Sequence, residues 1–173
     1  MNIQRLEPKH AEAYRALMLE AYATHPNVFT SSVGERSALP FAWWEGRLDE
    51  NPAAGQVVFG VLQGGRLCGV AGLSFETREK ARHKATLFGM YVPAAQRGLG
   101  LGRRLVSAAL EYARSRPGVR LVQLTVTEGN AAAEALYARC GFVAFGVEPM
   151  AMAVEGGFVS KVHMWSALAA EAV

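Results

Sequence analysis

The stretch that most constrains this chain is Arg97-Gly98-Leu99-Gly100-Leu101-Gly102-Arg103-Arg104. It lies between an apolar run ending at Val92 and an amphipathic run opening near Leu99. Glycine tolerates positive φ and lets a backbone approach a ligand closely. At the opening of a helix, alternating glycines expose unpaired N–H groups at the positive end of the dipole. Such a place takes phosphate, and Arg97, Arg103 and Arg104 supply charge to neutralise it. A plain strand-to-helix turn with solvated arginines is the competing reading. The spacing excludes two common phosphate loops. A Walker loop needs G-x-x-x-x-G-K-[ST], and no lysine follows here. A dinucleotide fingerprint needs G-x-G-x-x-G, and its third glycine is absent.

Around this turn the chain alternates its periodicities. Residues 2–6 read as a short strand and 8–23 as a helix that His25-Pro26-Asn27 stops. Residues 28–34 read as a polar loop, and a second helix passes through Trp43, Trp44 and Leu48. Runs 56–62 and 66–75 are rich in valine and flank Gln63-Gly64-Gly65, which predicts a hairpin. A charged loop follows, then a strand over 85–92 and a helix over 99–114 with Leu101, Leu105, Ala108 and Tyr112 on one face. Residues 119–126 give another strand. Asn130 is placed to cap a helix running to Cys140, and Gly141 to end it. Residues 142–147 and 158–165 read as closing strands. The order predicts an α+β domain with one mixed sheet covered by helices, and a right-handed parallel crossover over 85–126.

A chain of 173 residues is enough for one domain over 1–173 with its own core. The net charge of +3 is too mild to argue for nucleic acid. No apolar run approaches the roughly 20 residues of a membrane span. The opening MNIQRLEPKH has no apolar signal core, so a cytoplasmic location is expected. Cys68 and Cys140 have no CxxC partner and read as buried reduced thiols. His10, His25 and His163 have no metal-ligand spacing and read as surface or packing residues; no metal is expected.

Arg97-Gly98-Leu99-Gly100-Leu101-Gly102 resembles the [QR]-x-x-G-x-[GA] signature of the GNAT superfamily of acyl-CoA-dependent N-acyltransferases. Val92-Pro93 is similar to the lead into that loop. Asn130, Ala133, Leu136-Tyr137 and Gly141-Phe142 match N-x-x-A-x-x-L-Y-x-x-x-G-F, the family's second half. The resemblance is strong over 85–147. It implies a single mixed, mostly antiparallel twisted sheet of about seven strands with about four helices. It also implies acetyl-CoA as co-substrate, held between two splayed strands that correspond to 85–92 and 119–126. The cofactor-binding set implied is Met90, Tyr91, Val92, Arg97, Gly98, Leu99, Gly100, Leu101, Gly102, Arg103, Asn130 and Tyr137. Gly89 interrupts the first splayed strand, and a mid-strand glycine often marks a bulge that frees backbone groups.

Acetyl transfer to an amine needs a neutral nucleophile. An alkylamine of pKa near ~10.4 costs about 4–5 kcal/mol to deprotonate at pH 7, so a base or a water chain must take the proton. The thioester oxygen needs a hydrogen-bond donor, for which the Met90 N–H is placed. Tyr137 matches the family's acid for the departing thiolate. Residues 85–92 hold no carboxylate or imidazole, and His83, Glu76 and Glu128 lie only nearby, so the base stays unassigned. Trp43, Trp44 and the loop 23–33 are expected around the acceptor pocket. The resemblance thus implies an N-acetyltransferase acting on a small-molecule or peptide amine by direct attack in a ternary complex, with homodimers common among relatives. The alternative is a non-catalytic acyl-CoA-binding sensor or partner module. A nucleotide-binding oxidoreductase is disfavoured by the missing third glycine.

Overall fold

A computed structural model describes residues 2–168. Its strands are β1 (Asn2–Arg5), β2 (Gln56–Gln63), β3 (Arg66–Phe75), β4 (Lys84–Tyr91), β5 (Leu121–Thr127), β6 (Val143–Val154) and β7 (Gly157–Ala167). They form one sheet in the order β1-β2-β3-β4-β5-β7-β6. Only β4 and β5 run parallel; every other neighbouring pair is antiparallel. The helices are α1 (Ala11–Thr24), α2 (Val33–Ser37), α3 (Phe41–Gly46), α4 (Leu101–Ser115) and α5 (Ala131–Arg139). This is the mixed α+β sheet expected, with one helix more.

The additional helix, α2, begins at the end of the segment 28–34 read as a polar loop and runs three residues beyond it. Its signal is a capping box: Ser32 Oγ accepts from the Glu35 N–H at 3.1 Å, and the Glu35 carboxylate accepts from the Ser32 N–H at 2.8 Å. At α4 the predicted start at residue 99 is two residues early. Gly100 has φ 71°, a left-handed conformation outside the helix, and the helical turns begin at Leu101. The buried face of α4 is Leu101, Leu105, Val106, Ala109, Leu110 and Ala113. Ala108 and Tyr112, expected on that face, lie at its partly buried margin. Leu105 and Val106 are fully buried, which stabilises the fold by roughly 1.5–3 kcal/mol each.

Two apolar clusters cover the sheet. One gathers α4, Tyr137 of α5, and Ala85 and Leu87 of β4. The other gathers α1, Trp44, Leu48 and Tyr91. The last strands are longer than the sequence predicts, because β6 continues past residue 147 through Pro149 to Val154. It is the sheet's edge strand, where a residue without an N–H costs no ladder bond. Its register shifts between Glu148 and Met152, around Met150 at φ 50°. Val143, Phe145, Val147 and Met150 stand exposed along it.

Two irregularities position the site. First, β4 and β5 pair only at Lys84–Leu121, Ala85–Val122 and Thr86–Gln123. Beyond that fork, where the Gln123 amide donates to the Thr86 hydroxyl at 3.4 Å, the ladder ends although both strands continue. Second, β4 carries one extra residue. Gly72 pairs with Phe88 and Val70 with Tyr91, so two residues of β4 oppose one of β3. Gly89, at φ 57°, makes this bulge. The bulge inverts the alternation of β4: Ala85 and Leu87 face α4, and after it Met90 and Val92 join them while Tyr91 turns toward α1.

Candidate active site

A cavity of about 1080 Å³ opens in the fork between β4 and β5. Both strands wall it, together with the glycine turn, α5 and the loop after α1. That loop is tied down as a roof. The Thr127 hydroxyl donates to the carbonyls of Asn27 (3.4 Å) and Val28 (3.3 Å), and Lys161 donates to the Thr30 hydroxyl. Phe29 packs edge-on against Tyr22 at 5.3 Å. The loop over 23–33 thus borders the cavity as the sequence leads one to expect.

The three glycines have two different physical reasons. Gly98 and Gly100 have φ 80° and 71°, and a Cβ at either would meet nothing within 4 Å. Their backbone therefore lies bare to the cavity that both line. Gly102 is helical, and there a Cβ would stand 2.8 Å from Met90 Cε and 3.1 Å from Leu136 Cδ2. Its role is to let α4 close on the Met90 side chain. Leu101 and Arg103 also line the cavity. Leu99 is more than half exposed and stays outside the lining, as does Arg104. The Arg97 Nε donates to the Val92 carbonyl at 3.1 Å, fastening the turn to the end of β4.

Met90, Tyr91 and Val92 contribute the β4 wall. The Tyr91 hydroxyl is engaged by Glu20 at 3.0 Å. Tyr137 reaches the cavity from α5, and its hydroxyl donates to the Met90 sulfur at 3.4 Å. Burial pushes the Tyr137 phenol up to about 12, with the nearby Cys140 adding to it. The side chain is thus held neutral and protonated across the neutral pH range. Asn130 is both a cap and a lining residue. Its Oδ1 accepts from the Ala133 N–H at 3.3 Å to cap α5, and it lines the cavity.

Of the acids near the site, only Glu128 reaches the lining among the described residues. Glu76 is taken by Arg78, whose guanidinium holds its carboxyl down to about 2, and it lies outside the cavity with His83. Cys68 is buried as expected; Cys140 is only half-buried, at the end of α5, and neither reaches the cavity. Trp44 is fully buried against Tyr14 at 5.7 Å. Trp43 does not line the cavity either; the Arg36 and Arg47 guanidiniums rest on its ring at 4.7 and 4.6 Å.

Several lining side chains were not singled out from the sequence, among them His25, Arg36, Arg47, Arg139 and Lys161. His25, read as surface or packing, stacks edge-on against Tyr91 at 5.8 Å and meets Arg97 across the cavity mouth. Arg36 and Arg47 enter from the α2–α3 segment. The loop 23–33 and the Trp43 helix were expected near the pocket, but no residue type there marked His25, Arg36 or Arg47 individually. Among the described residues no cluster of three or more potential metal ligands occurs, and no helix is long and apolar enough to cross a membrane.

The forked sheet thus carries a bare glycine turn at its mouth and a buried tyrosine on its inner wall. The chain belongs to the Acetyltransferase (GNAT) family, whose profile matches residues 12–142. It is 33% identical over 133 residues to a mycothiol acetyltransferase of Salinispora tropica, covering 76% of this chain and 40% of that protein. The chain thus spans about two fifths of the length of the curated relatives it matches. Among solved structures, an acetyltransferase of the GNAT family from Streptococcus pneumoniae superposes with a TM-score of 0.85. It is 27% identical, with 97% of this chain and 99% of that one covered. A putative acetyltransferase of Salmonella typhimurium, solved with its cofactor acetyl-CoA, superposes with a TM-score of 0.80. It is 22% identical, with 100% and 96% covered.

Proposed function

We propose that residues 1–173 form one N-acetyltransferase domain that moves an acetyl group from acetyl-CoA to a primary amine of a small molecule or peptide, in the cytoplasm. The observation that carries this reading is the bare Gly98–Gly100 backbone opening into the same cavity as the Tyr137 hydroxyl. The residues fit the co-substrate. Backbone N–H groups from Gly98 to Arg103, with the charges of Arg97 and Arg103, suit its diphosphate. The bulge at Gly89 leaves Met90 and Val92 at the β4 edge, where the fork has removed their β5 partners. Their backbone groups suit the pantetheine amides. The Salmonella relative, which was solved with acetyl-CoA, shares the fold.

Acetyl-CoA, when bound, supplies the thioester. On this reading the Met90 N–H donates to the thioester oxygen as charge develops there. Tyr137 holds its proton at Oη and donates toward the sulfur. A phenol pushed up to about 12 yields its proton reluctantly, so hydrogen-bond donation is the larger part of its role. In the balanced reaction a C–N bond forms and a C–S bond breaks. The amine proton leaves to water or Glu128, and the sulfur takes a proton by way of Tyr137. Direct attack in a ternary complex is the route we propose, supported by a lining that holds no cysteine among the described residues.

One observation favours the second reading, a non-catalytic acyl-CoA-binding module: β4 offers no carboxylate or imidazole as base. Thiol release from acetyl-CoA across a panel of amines separates the two. Amine-dependent release supports the transferase. Tight acetyl-CoA binding with no release on any amine favours the module, and no binding at all overturns both.

A further inference from the structure

The charges around the cavity are one-sided. Arg36, Arg47, Arg97, Arg103, Arg139 and Lys161 line it, against the single carboxylate of Glu128 among the described residues. Arg97 and Arg103 belong to the glycine turn. Arg36 and Arg47 do not. Arg47 lies over the Phe88 ring, 4.7 Å from its centroid, and Phe88 is four residues before Val92. At the rise of an extended strand that places Arg47 about 10–13 Å from Val92, away from the glycine turn, and Arg36 shares the Trp43 ring with it.

These two side chains are held firmly and yet have no ionic partner. Among the described residues neither guanidinium has a carboxylate within ion-pair distance or a hydrogen bond, and both Nε atoms are buried without a partner. Ring faces hold them instead. Both rest on Trp43, and Arg47 also on Phe88. Phe88 is itself fixed, because its ring lies where a Cβ on Gly72 would come within 2.4 Å. Tyr22 faces the same space. Burial raises its phenol, while the charges of Arg36 and Arg47 pull it the other way. Two like charges brought together, partly dehydrated and without counter-charge, are unfavourable until an anion arrives. A guanidinium pre-oriented by aromatic stacking suits a planar oxyanion, which it engages through two parallel N–H bonds.

We infer that the amine acceptor carries an oxyanion, in the simplest case the carboxylate of an amino acid, and that Arg36 and Arg47 clamp it. This rests on the transferase reading and names its substrate class. The clamp does two things. It orients the amine toward the end of β4, where the bulge exposes Met90. It also surrounds the amine with positive charge, which disfavours the ammonium form and eases loss of the proton on a strand that offers no base. Polyamines and other multiply cationic acceptors are rejected by the same charges together with Lys161.

The test pairs α-, β- and γ-amino acids with their own carboxamides, and adds spermidine, all at saturating acetyl-CoA with thiol release as readout. The expected result is kcat/KM at least about tenfold higher for the acid than for its amide in the best pair. Arg36→Gln and Arg47→Gln should raise KM for that acid by about tenfold or more and bring the acid-to-amide ratio toward one. Both should keep the Kd for acetyl-CoA, and Arg47→Lys should recover part of the preference. Should Arg47→Gln fail to fold, Arg36→Gln, which lacks the Phe88 contact, carries the test. Amides or spermidine acetylated as fast as acids would overturn the clamp and leave the transferase standing. Should no amine be acetylated, the transferase reading falls. Calorimetry of N-acetyl amino acids against N-acetyl amides on the coenzyme-A complex then decides the clamp alone: acid-selective binding lost in Arg36→Gln supports it, and no acid-selective binding overturns it.

Discussion

The Arg97 guanidinium and the His25 Nε2 lie 3.1 Å apart, joining residues 72 positions distant in the chain. A guanidinium only donates, so the imidazole accepts on Nε2 and carries its proton on Nδ1. The loop after α1 is thereby coupled to the glycine turn, and His25 is a positioning residue for Arg97. His25→Ala is expected to raise the KM for acetyl-CoA about fivefold, the worth of one net hydrogen bond, with kcat little changed. Steady-state kinetics with acetyl-CoA as the varied substrate checks it, and a fall in kcat alone would contradict it.

Removing the Tyr137 hydroxyl takes away the group that the proposed mechanism assigns to the departing sulfur. For Tyr137→Phe the expected loss in kcat is about 100-fold, within the range for a general acid. Calorimetry should find coenzyme A binding mostly kept, because the ring and its edge-on contact with Phe142 at 5.9 Å remain.

The same phenol makes stability depend on alkaline pH. Its pKa is raised from the usual 10 to about 12 in the fold, so its contribution is complete below pH 10 and is lost as pH rises toward 12. Over that window the loss amounts to about 3 kcal/mol. Tyr22 and Tyr91 are also raised by burial and act in the same direction. The measurement is therefore a difference: urea unfolding at pH 9, 10 and 11 should fall less steeply for Tyr137→Phe than for the parent.

The two kinds of glycine in the turn predict different failures. Gly100→Ala forces a side chain into the left-handed region and should cost roughly 1–2 kcal/mol of stability, with weaker acetyl-CoA binding. Gly102→Ala keeps a helical backbone but drives Cβ into the flexible end of Met90. It should fold with nearly parental stability and lose turnover, because Met90 is displaced from Tyr137. Thermal melts beside kcat for each variant distinguish the two.

Much of this architecture was legible in local chemistry. The glycine turn, the bulge at Gly89, the Asn130 cap and the stop at Gly141 each follow from what one residue type can do with its own backbone. Helix α2 was legible too, in Ser32 and Glu35. The opposite wall of the cavity was legible only in part: the loop 23–33 was expected there, but Arg36, Arg47 and Phe88 have no common spacing, since they meet only when α2, α3 and β4 pack together. A stacked arginine and a solvated one read identically in sequence. The extent of β6 was hidden for a related reason: Pro149 reads as a strand breaker unless the strand is known to be outermost.

The extra amino acid in β4 acts as a frameshift in space. Upstream of Gly89, odd-numbered positions answer to the α4 layer; downstream, even-numbered ones do. A deletion there would exchange Met90 and Tyr91 between the two sides of the molecule, depriving Tyr137 of its sulfur neighbour and Glu20 of its phenol in a single event. At this point of the chain the count of residues decides which layer each later side chain joins.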